Sequence, residues 1–324
     1  MKRTQTKTDK TINKPADVQP HVILWVMAIL ITVTGLAGCD LYGQDDYEEQ
    51  FVIESYLIAR EPLPELRIST TAPFYEPYNF DERAVSNAEV RIYVYDESDD
   101  LRYTFPYFEQ RPGIYTPADQ DTGQRVLPRH TYRLEIDAPL PNGDMHRIEA
   151  QTIVPDTSSI RNVIRDQAVY QSQTQLEFRI TNNRTYDRQN YFIFSTKSLE
   201  PNEDNLTPFW NDALDDEEDY RDAIRIRTNI VNEGNFSTNP DGTLTLRMPW
   251  IGIAFYGPNT ISTYTLDDNT YDYFRSQPSQ TGGGAGTISP GEIQNIIHHV
   301  DGGIGLFGSM SVLDMDVEVL RDGS

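Results

Sequence analysis

The residues with most capacity for chemistry cluster near the C-terminus. His298-His299-Val300-Asp301 offers two imidazoles and a carboxylate, donor types that hold transition metals. Adjacent side chains on a strand point to opposite faces, so these imidazoles do not converge, and after residue 38 only His130 and His146 remain to complete a site. Asp314, Asp316 and Glu318 share one face of an alternating run with Met315, Val317 and Val319 on the other. Oxygens at that spacing suit Ca²⁺, but a solvated outer face is the expectation. Gly303-Ile304-Gly305-Leu306-Phe307-Gly308 spells G-x-G-x-x-G, yet only 16 residues follow and they alternate as a strand. A dinucleotide site needs a helix there and an acid about 20 residues on, so these glycines read as close backbone approach or bulges between strands. The run Gly282 to Gly286 lacks the Lys-Ser/Thr of a phosphate loop. No H-E-x-x-H, G-x-S-x-G or S-x-x-K motif is present. No enzyme, cofactor or metal is therefore expected.

Aromatic side chains are the more suggestive group. Phe74-Tyr75-Glu76-Pro77-Tyr78-Asn79-Phe80 and Tyr103-Thr104-Phe105-Pro106-Tyr107-Phe108 sit in proline-bearing stretches that read as loops. Exposed aromatics beside carboxylates suit recognition of a peptide, a sugar or a protein partner; alternatively they close the open end of a sandwich. Tyr75, Tyr78, Tyr107 and Phe108 are the candidate binding residues.

The 324 residues include 27 Lys+Arg and 50 Asp+Glu, a net −23. Five of those bases and two of those acids precede Cys39, so the remainder carries 22 against 48, a net −26. Such a surface repels phosphate backbones and excludes sequence-neutral nucleic-acid binding. The hydrophobic share is 38%, with 19 Tyr and 13 Phe, too apolar and aromatic for wholesale disorder. A single cysteine rules out an intrachain disulfide framework and zinc sites built on several cysteines.

That cysteine has a telling position. A polar, basic stretch of 21 residues leads into the apolar run Val22 to Leu36, whose 15 residues fall short of the roughly 20 that span a membrane. A basic region, an apolar region and small residues after it make a secretory signal. Leu36-Ala37-Gly38-Cys39 resembles the lipobox of bacterial lipoproteins, in which cleavage precedes a cysteine that takes a diacylglycerol. Residues 1–38 are thus expected to be signal peptide and Cys39 the lipidation site. Residues 39–50 read as an acidic tether that either serves surface export or is merely solvated.

The elements beyond it are strands. Glu89 to Tyr95 places Val90, Ile92 and Val94 on one face, Tyr132 to Asp137 repeats the alternation, and Asn142-Gly143 marks a hairpin returning through Met145 to Val154. Residues 51–155 are expected to form a sandwich, and Pro155 to Ser159 to lead into a second β-rich domain over 156–324. There Leu176, Phe178 and Ile180 alternate, Asn205 to Asp222 is an acidic insertion, and Asp267 or Asp268 caps a short helix carrying Tyr271, Tyr273 and Phe274. The class is all-β.

Ordered short patterns carry a resemblance over nearly the whole mature chain. They are the lipobox, Phe51 to Leu57, Val85 to Ile92, Gly113-Ile114-Tyr115, Thr131 to Leu134, and Ile296 to Gly308. Together they resemble domain-of-unknown-function family forty-two forty-nine, found in outer-membrane lipoproteins. The strand followed by Gly-x-Tyr also looks like a prealbumin- or Ig-like sandwich. Where that family often has Asn-Ile before the double glycine, this chain has His298 to Asp301. The resemblance implies a β-rich outer-membrane lipoprotein facing the cell surface, often encoded beside a TonB-dependent transporter, and no known catalytic residues. Its leading function is then a non-catalytic binding partner of that transporter, with a structural or adhesive surface lipoprotein as the alternative and a surface hydrolase after that. Because the acyl chains and not the β domains are to supply the anchoring, Cys39→Ser is expected to move the protein from the membrane pellet to the soluble fraction after a high-salt wash; continued pelleting refutes the lipid anchor.

Overall fold

The computed structural model describes residues 47–73, 75–118, 123–163, 167–172, 176–185, 187–214, 219–277 and 295–321. From Glu49 onward the chain is one compact unit. Its first half contributes β1 (Phe51–Ile58), β2 (Leu66–Thr70), β3 (Glu89–Tyr95), β4 (Leu101–Arg111), β5 (Ile114–Pro117), β6 (Thr131–Pro139) and β7 (Met145–Ile153). The second half adds β8 (Ile160–Val163), β9 (Gln167–Val169), β10 (Leu176–Ile180), β11 (Tyr191–Ser198), β12 (Arg225–Arg227), β13 (Val231–Asn232), β14 (Ser237–Thr238) and β15 (Leu244–Met248). It closes on β16 (Gly257–Leu266), β17 (Val300–Asp301) and β18 (Ile304–Leu320). The protein is all-β in class.

Fourteen strands join in one sheet, ordered β12-β11-β16-β18-β1-β2-β5-β4-β3-β6-β7-β17, with β13 on β11 and β9 on β18; β14-β15-β10-β8 form a second. Local pattern explains most of the pairings. Asn142 and Gly143 make the β6–β7 turn, Gly143 at a φ of +89° that favours glycine. Alternation puts Val90, Ile92, Val94, Leu134 and Ile136 inside the first core with Ile53, Leu57 and Ile68. A second core gathers Leu176, Phe178, Ile180, Phe192, Leu244 and Leu246.

The boundary expected near Pro155 separates these two cores, but the sheet does not break there. β18 runs parallel to β1 from Val52↔Ile304 to Ile58↔Met310, then antiparallel to β16 from Leu266↔Met310 to Gly257↔Val319. It gives Phe307 to the first core and Met315, Val317 and Val319 to the second. The first sheet is therefore incomplete without a strand from the far end of the chain, which corrects the picture of a self-contained domain over 51–155.

Where the cores meet, the contacts turn polar. Asp267 caps the helix Asp268–Ser276 by accepting from the Thr270 N–H at 2.9 Å. Its other carboxylate oxygen accepts from the Thr152 hydroxyl of β7 at 2.6 Å, and Thr152 also lies 2.6 Å from the Ser309 hydroxyl of β18. The Asn269 amide donates to the Gln151 and Phe307 carbonyls, at 2.7 and 2.8 Å. Asp267 is buried, and burial raises its pKa above the ordinary carboxylate value although its hydrogen bonds pull the other way.

A raised folded-state pKa contributes stability below the unfolded pKa and loses it as pH climbs through the folded one. Asn caps helices about as well as Asp. The stability of wild type minus that of Asp267→Asn is thus expected to fall as pH rises above the ordinary carboxylate range, measured by denaturant unfolding at a series of pH values. A pH-independent difference refutes the assignment.

Candidate functional site

The strand β4 divides the second aromatic run by alternation. Tyr103, Phe105 and Tyr107 sit opposite Val94, Ile92 and Val90 on the inward face of β3. Tyr107 is only 4% exposed, its hydroxyl donates to the Pro64 carbonyl at 3.1 Å, and burial drives its pKa upward. Phe108, one residue on, points outward opposite Thr116 and is 59% exposed. Expecting Tyr107 to be a binding residue was therefore incorrect, as was reading Tyr103 to Phe108 as a loop. A proline, Pro106, suggested a break, yet it lies within the strand and its carbonyl accepts from the Ala118 N–H at 3.1 Å. Tyr107 and, in part, Phe105 pack into the first core, whereas Tyr103 and Phe108 are exposed.

The first run stays at the surface. Tyr75 is 65% exposed and Tyr78 56%, the latter anchored by a 3.0 Å hydrogen bond from its hydroxyl to Ser69 Oγ on β2. The segment is held from below. Asn79 caps the turn Phe80–Arg83, Arg83 bonds Glu76 and Glu49 at 2.6 and 3.2 Å, and the Arg67 guanidinium lies 4.4 Å over the Phe80 ring. Phe74 and Cys39 lie outside the described residues. Of the candidates, Tyr75, Tyr78 and Phe108 present aromatic rings to solvent on backbone fixed by such contacts. Rings of that kind supply contact area and shape for recognition.

The histidines do not converge. His298 Nδ1 accepts from the Gly305 N–H at 3.0 Å, whereas His299 Nε2 lies 2.8 Å from Asp272 Oδ2. Burial pushes Asp272 up, but Arg275 and His299 outweigh it and hold its carboxyl below the usual value. Among the described residues no group of three or more His, Cys, Asp or Glu is placed to hold a metal. Asp314 and Asp316 are exposed on the outer face of β18, where Asp316 accepts from Thr260 at 2.7 Å. The glycine run is a packing device. A Cβ on Gly305, whose φ is +110°, would stand 2.1 Å from the Ile53 carbonyl, and one on Gly308 2.3 Å from Thr270 Oγ1.

Sequence reasoning missed one exposed cluster. In the acidic insertion a short helix, Pro208–Ala213, leaves Phe209 44% exposed, and Ile251, whose carbonyl accepts from the Trp210 indole, is 56% exposed. The adjacent Phe209-Trp210 was the available signal, obscured by the surrounding acids.

A family model described as domain of unknown function (DUF4249) matches residues 41–315. The chain belongs to that family. The DUF4249 match takes in the aromatic segment, β4, the acidic insertion and the glycine run, as the ordered patterns of the sequence indicated. No curated protein matches the chain. Among solved structures, trypsin-activated alpha-2-macroglobulin from Escherichia coli overlaps 68% of this chain and 14% of its own, at 10% identity and a TM-score of 0.19. The native conformation of the E. coli macroglobulin overlaps 69% and 13%, at 9% and 0.20. Three N-terminal domains of the bacteriophage RB49 Highly Immunogenic Outer Capsid protein overlap 85% and 71%, at 9% and 0.21. This DUF4249 chain spans only a small part of the macroglobulins, and overlaps this loose define no common fold.

Adjacent residues of β4 should respond oppositely to truncation. Tyr107→Ala is expected to destabilise by about 3–5 kcal/mol through the cavity it leaves, and Phe108→Ala by under about 1 kcal/mol. Thermal melts of the two variants check this; equal losses refute the inward and outward assignment.

Proposed function

We propose that the protein is held by lipid on Cys39 at the outer membrane, faces the cell surface, and serves as a non-catalytic binding partner of a TonB-dependent transporter, capturing a ligand or covering its entrance. The observation that carries the binding role is the group Tyr75, Tyr78 and Phe108, large aromatics kept in solvent by a hydrogen bond, an ion-pair cluster and a strand register. Leaving such side chains in water forgoes favourable apolar burial until something covers them in use, and stiff aromatics lose little entropy on binding. The anchor is supported by the position of the sole cysteine after a 15-residue apolar run. The non-catalytic character is supported by histidines already engaged by Gly305 and Asp272. Cofactors, metals and nucleic acid have no part in this reading.

The test is a triple variant, Tyr75→Ala, Tyr78→Ala and Phe108→Ala, in the membrane-anchored chain. Co-purification of the transporter from native membranes is expected to weaken by about 30-fold or more, the equivalent of losing roughly 2 kcal/mol, while the melting temperature stays close to wild type. Undiminished recovery of the transporter sinks the surface. A wild-type chain that brings down no transporter sinks the partner.

A further inference from the structure

The edge of the large sheet gathers three cations on one face. The strand β12 is that edge and lies antiparallel to β11, with Lys197 opposite Arg225 and Ser195 opposite Arg227. Opposed residues of a pair point the same way, and Ile226 between the two arginines packs instead against the small core of Ala254 and Phe255. Lys197, Arg225 and Arg227 are therefore exposed together on the other face. None of the three forms an ion pair with any described residue. Arg221, just ahead of β12, is held by Asp219 at 2.8 Å. The acids next in register are Asp314 and Asp316 of β18, opposite Ser262 and Thr260 on the far side of β16. Asp316 already accepts from the Thr260 hydroxyl at 2.7 Å, and Asp222, three residues before Arg225, is exposed.

Charges on an edge strand commonly serve only to keep other strands off. Two features here go beyond that role. Lys197 stands directly opposite Arg225, and like charges so placed destabilise a sheet. Beside them Ser195 is only 2% exposed, and its hydroxyl has no hydrogen-bond partner, which is itself unfavourable. The Arg225 guanidinium reaches over this position. It donates to the Tyr264 hydroxyl on β16, and Tyr264 is level with Ile193, so the bond runs from the level of Lys197 past Ser195. Its 3.3 Å length lies beyond the roughly 2.7–3.2 Å usual for N–H···O, so the guanidinium readily turns to another acceptor.

We propose that Lys197, Arg225, Arg227 and the Ser195 hydroxyl form a binding site for a phosphate group, borne either as inorganic phosphate or as a phosphate monoester of the kind a lipid headgroup carries. A phosphate between Lys197 and Arg225 converts their repulsion into two attractions, and one of its oxygens supplies the acceptor that Ser195 lacks. Arginine forks match such oxygens two at a time. The excess of acid over the rest of the chain repels a polyanion, so the site takes a single phosphate group and no nucleic-acid backbone.

The experiment titrates the full chain, in neutral detergent, with inorganic phosphate and separately with glycerol phosphate, at an ionic strength held constant with sodium chloride. Calorimetry reads the binding and thermal melts read the stability. The expected result is saturable binding of at least one of the two, weakened about tenfold or more by the double variant Arg225→Gln, Arg227→Gln. Ser195→Ala is expected to weaken it about fivefold, yet without phosphate to melt no lower than wild type, because it removes an unmet hydroxyl. Lys197→Gln, on the neighbouring strand, gives the same direction should β12 need its arginines to fold. Tighter binding of glycerol phosphate assigns the site to an ester-borne phosphate, and tighter binding of inorganic phosphate to the free ion. Saturable binding of neither, or binding undiminished in both the double variant and Lys197→Gln, overturns the site. A Ser195→Ala chain that melts lower and binds as before overturns it as well.

Discussion

The strand β18 is shared between two hydrophobic cores, and the rest of the molecule is arranged around that sharing. At about 3.3 Å per residue its 17 residues extend roughly 55 Å, several times the length of an ordinary strand. Its first part completes the ladder of β1 and buries Phe307; its last part completes the ladder of β16 and buries Met315, Val317 and Val319. Each buried side chain of this size contributes about 1.5–3 kcal/mol from apolar transfer alone. Because one strand carries such residues for both cores, neither core can loosen its share of β18 without disturbing the other.

Between the two apolar stretches the strand changes character. Ser309 and Ser311 are buried polar residues that bond to Thr152, Ile153 and Asp156, and Asp267 joins from the helix cap. Apolar contacts tolerate sliding, whereas hydrogen-bonded groups in a low-dielectric interior do not. A slip of β18 by one residue would also turn Met315, Val317 and Val319 to solvent. Register is thus fixed at the junction by directional bonds and on either side by the pleat. The glycines of β18 do a related task, letting the Ile53 backbone and Thr270 approach where a side chain would collide.

Much of this was legible locally. The alternation of β3, β6 and β10, the Asn142-Gly143 hairpin and the Asp267 cap all announce themselves within a few residues. The same alternation, applied to Tyr103 through Phe108, separates Tyr107 from Phe108, but Pro106 argued for a loop and hid it. The parallel pairing of β1 with β18 left no such trace, since two strands far apart in sequence need share no local pattern. The exposed Phe209 was hard to read for another reason, the dense acids around Phe209-Trp210.

Pairing Val52 with Ile304 has a kinetic meaning. A chain that emerges N-terminus first presents β1 long before β18 exists, so the outer edge of β1 waits unpaired. Such edges are templates for pairing with other chains, and contacts this distant in sequence place the topology among slow folders. The final strand is therefore the folding clock of the whole molecule. Until β18 is laid down beside β1, the strong negative charge of the chain sets copies of it against one another.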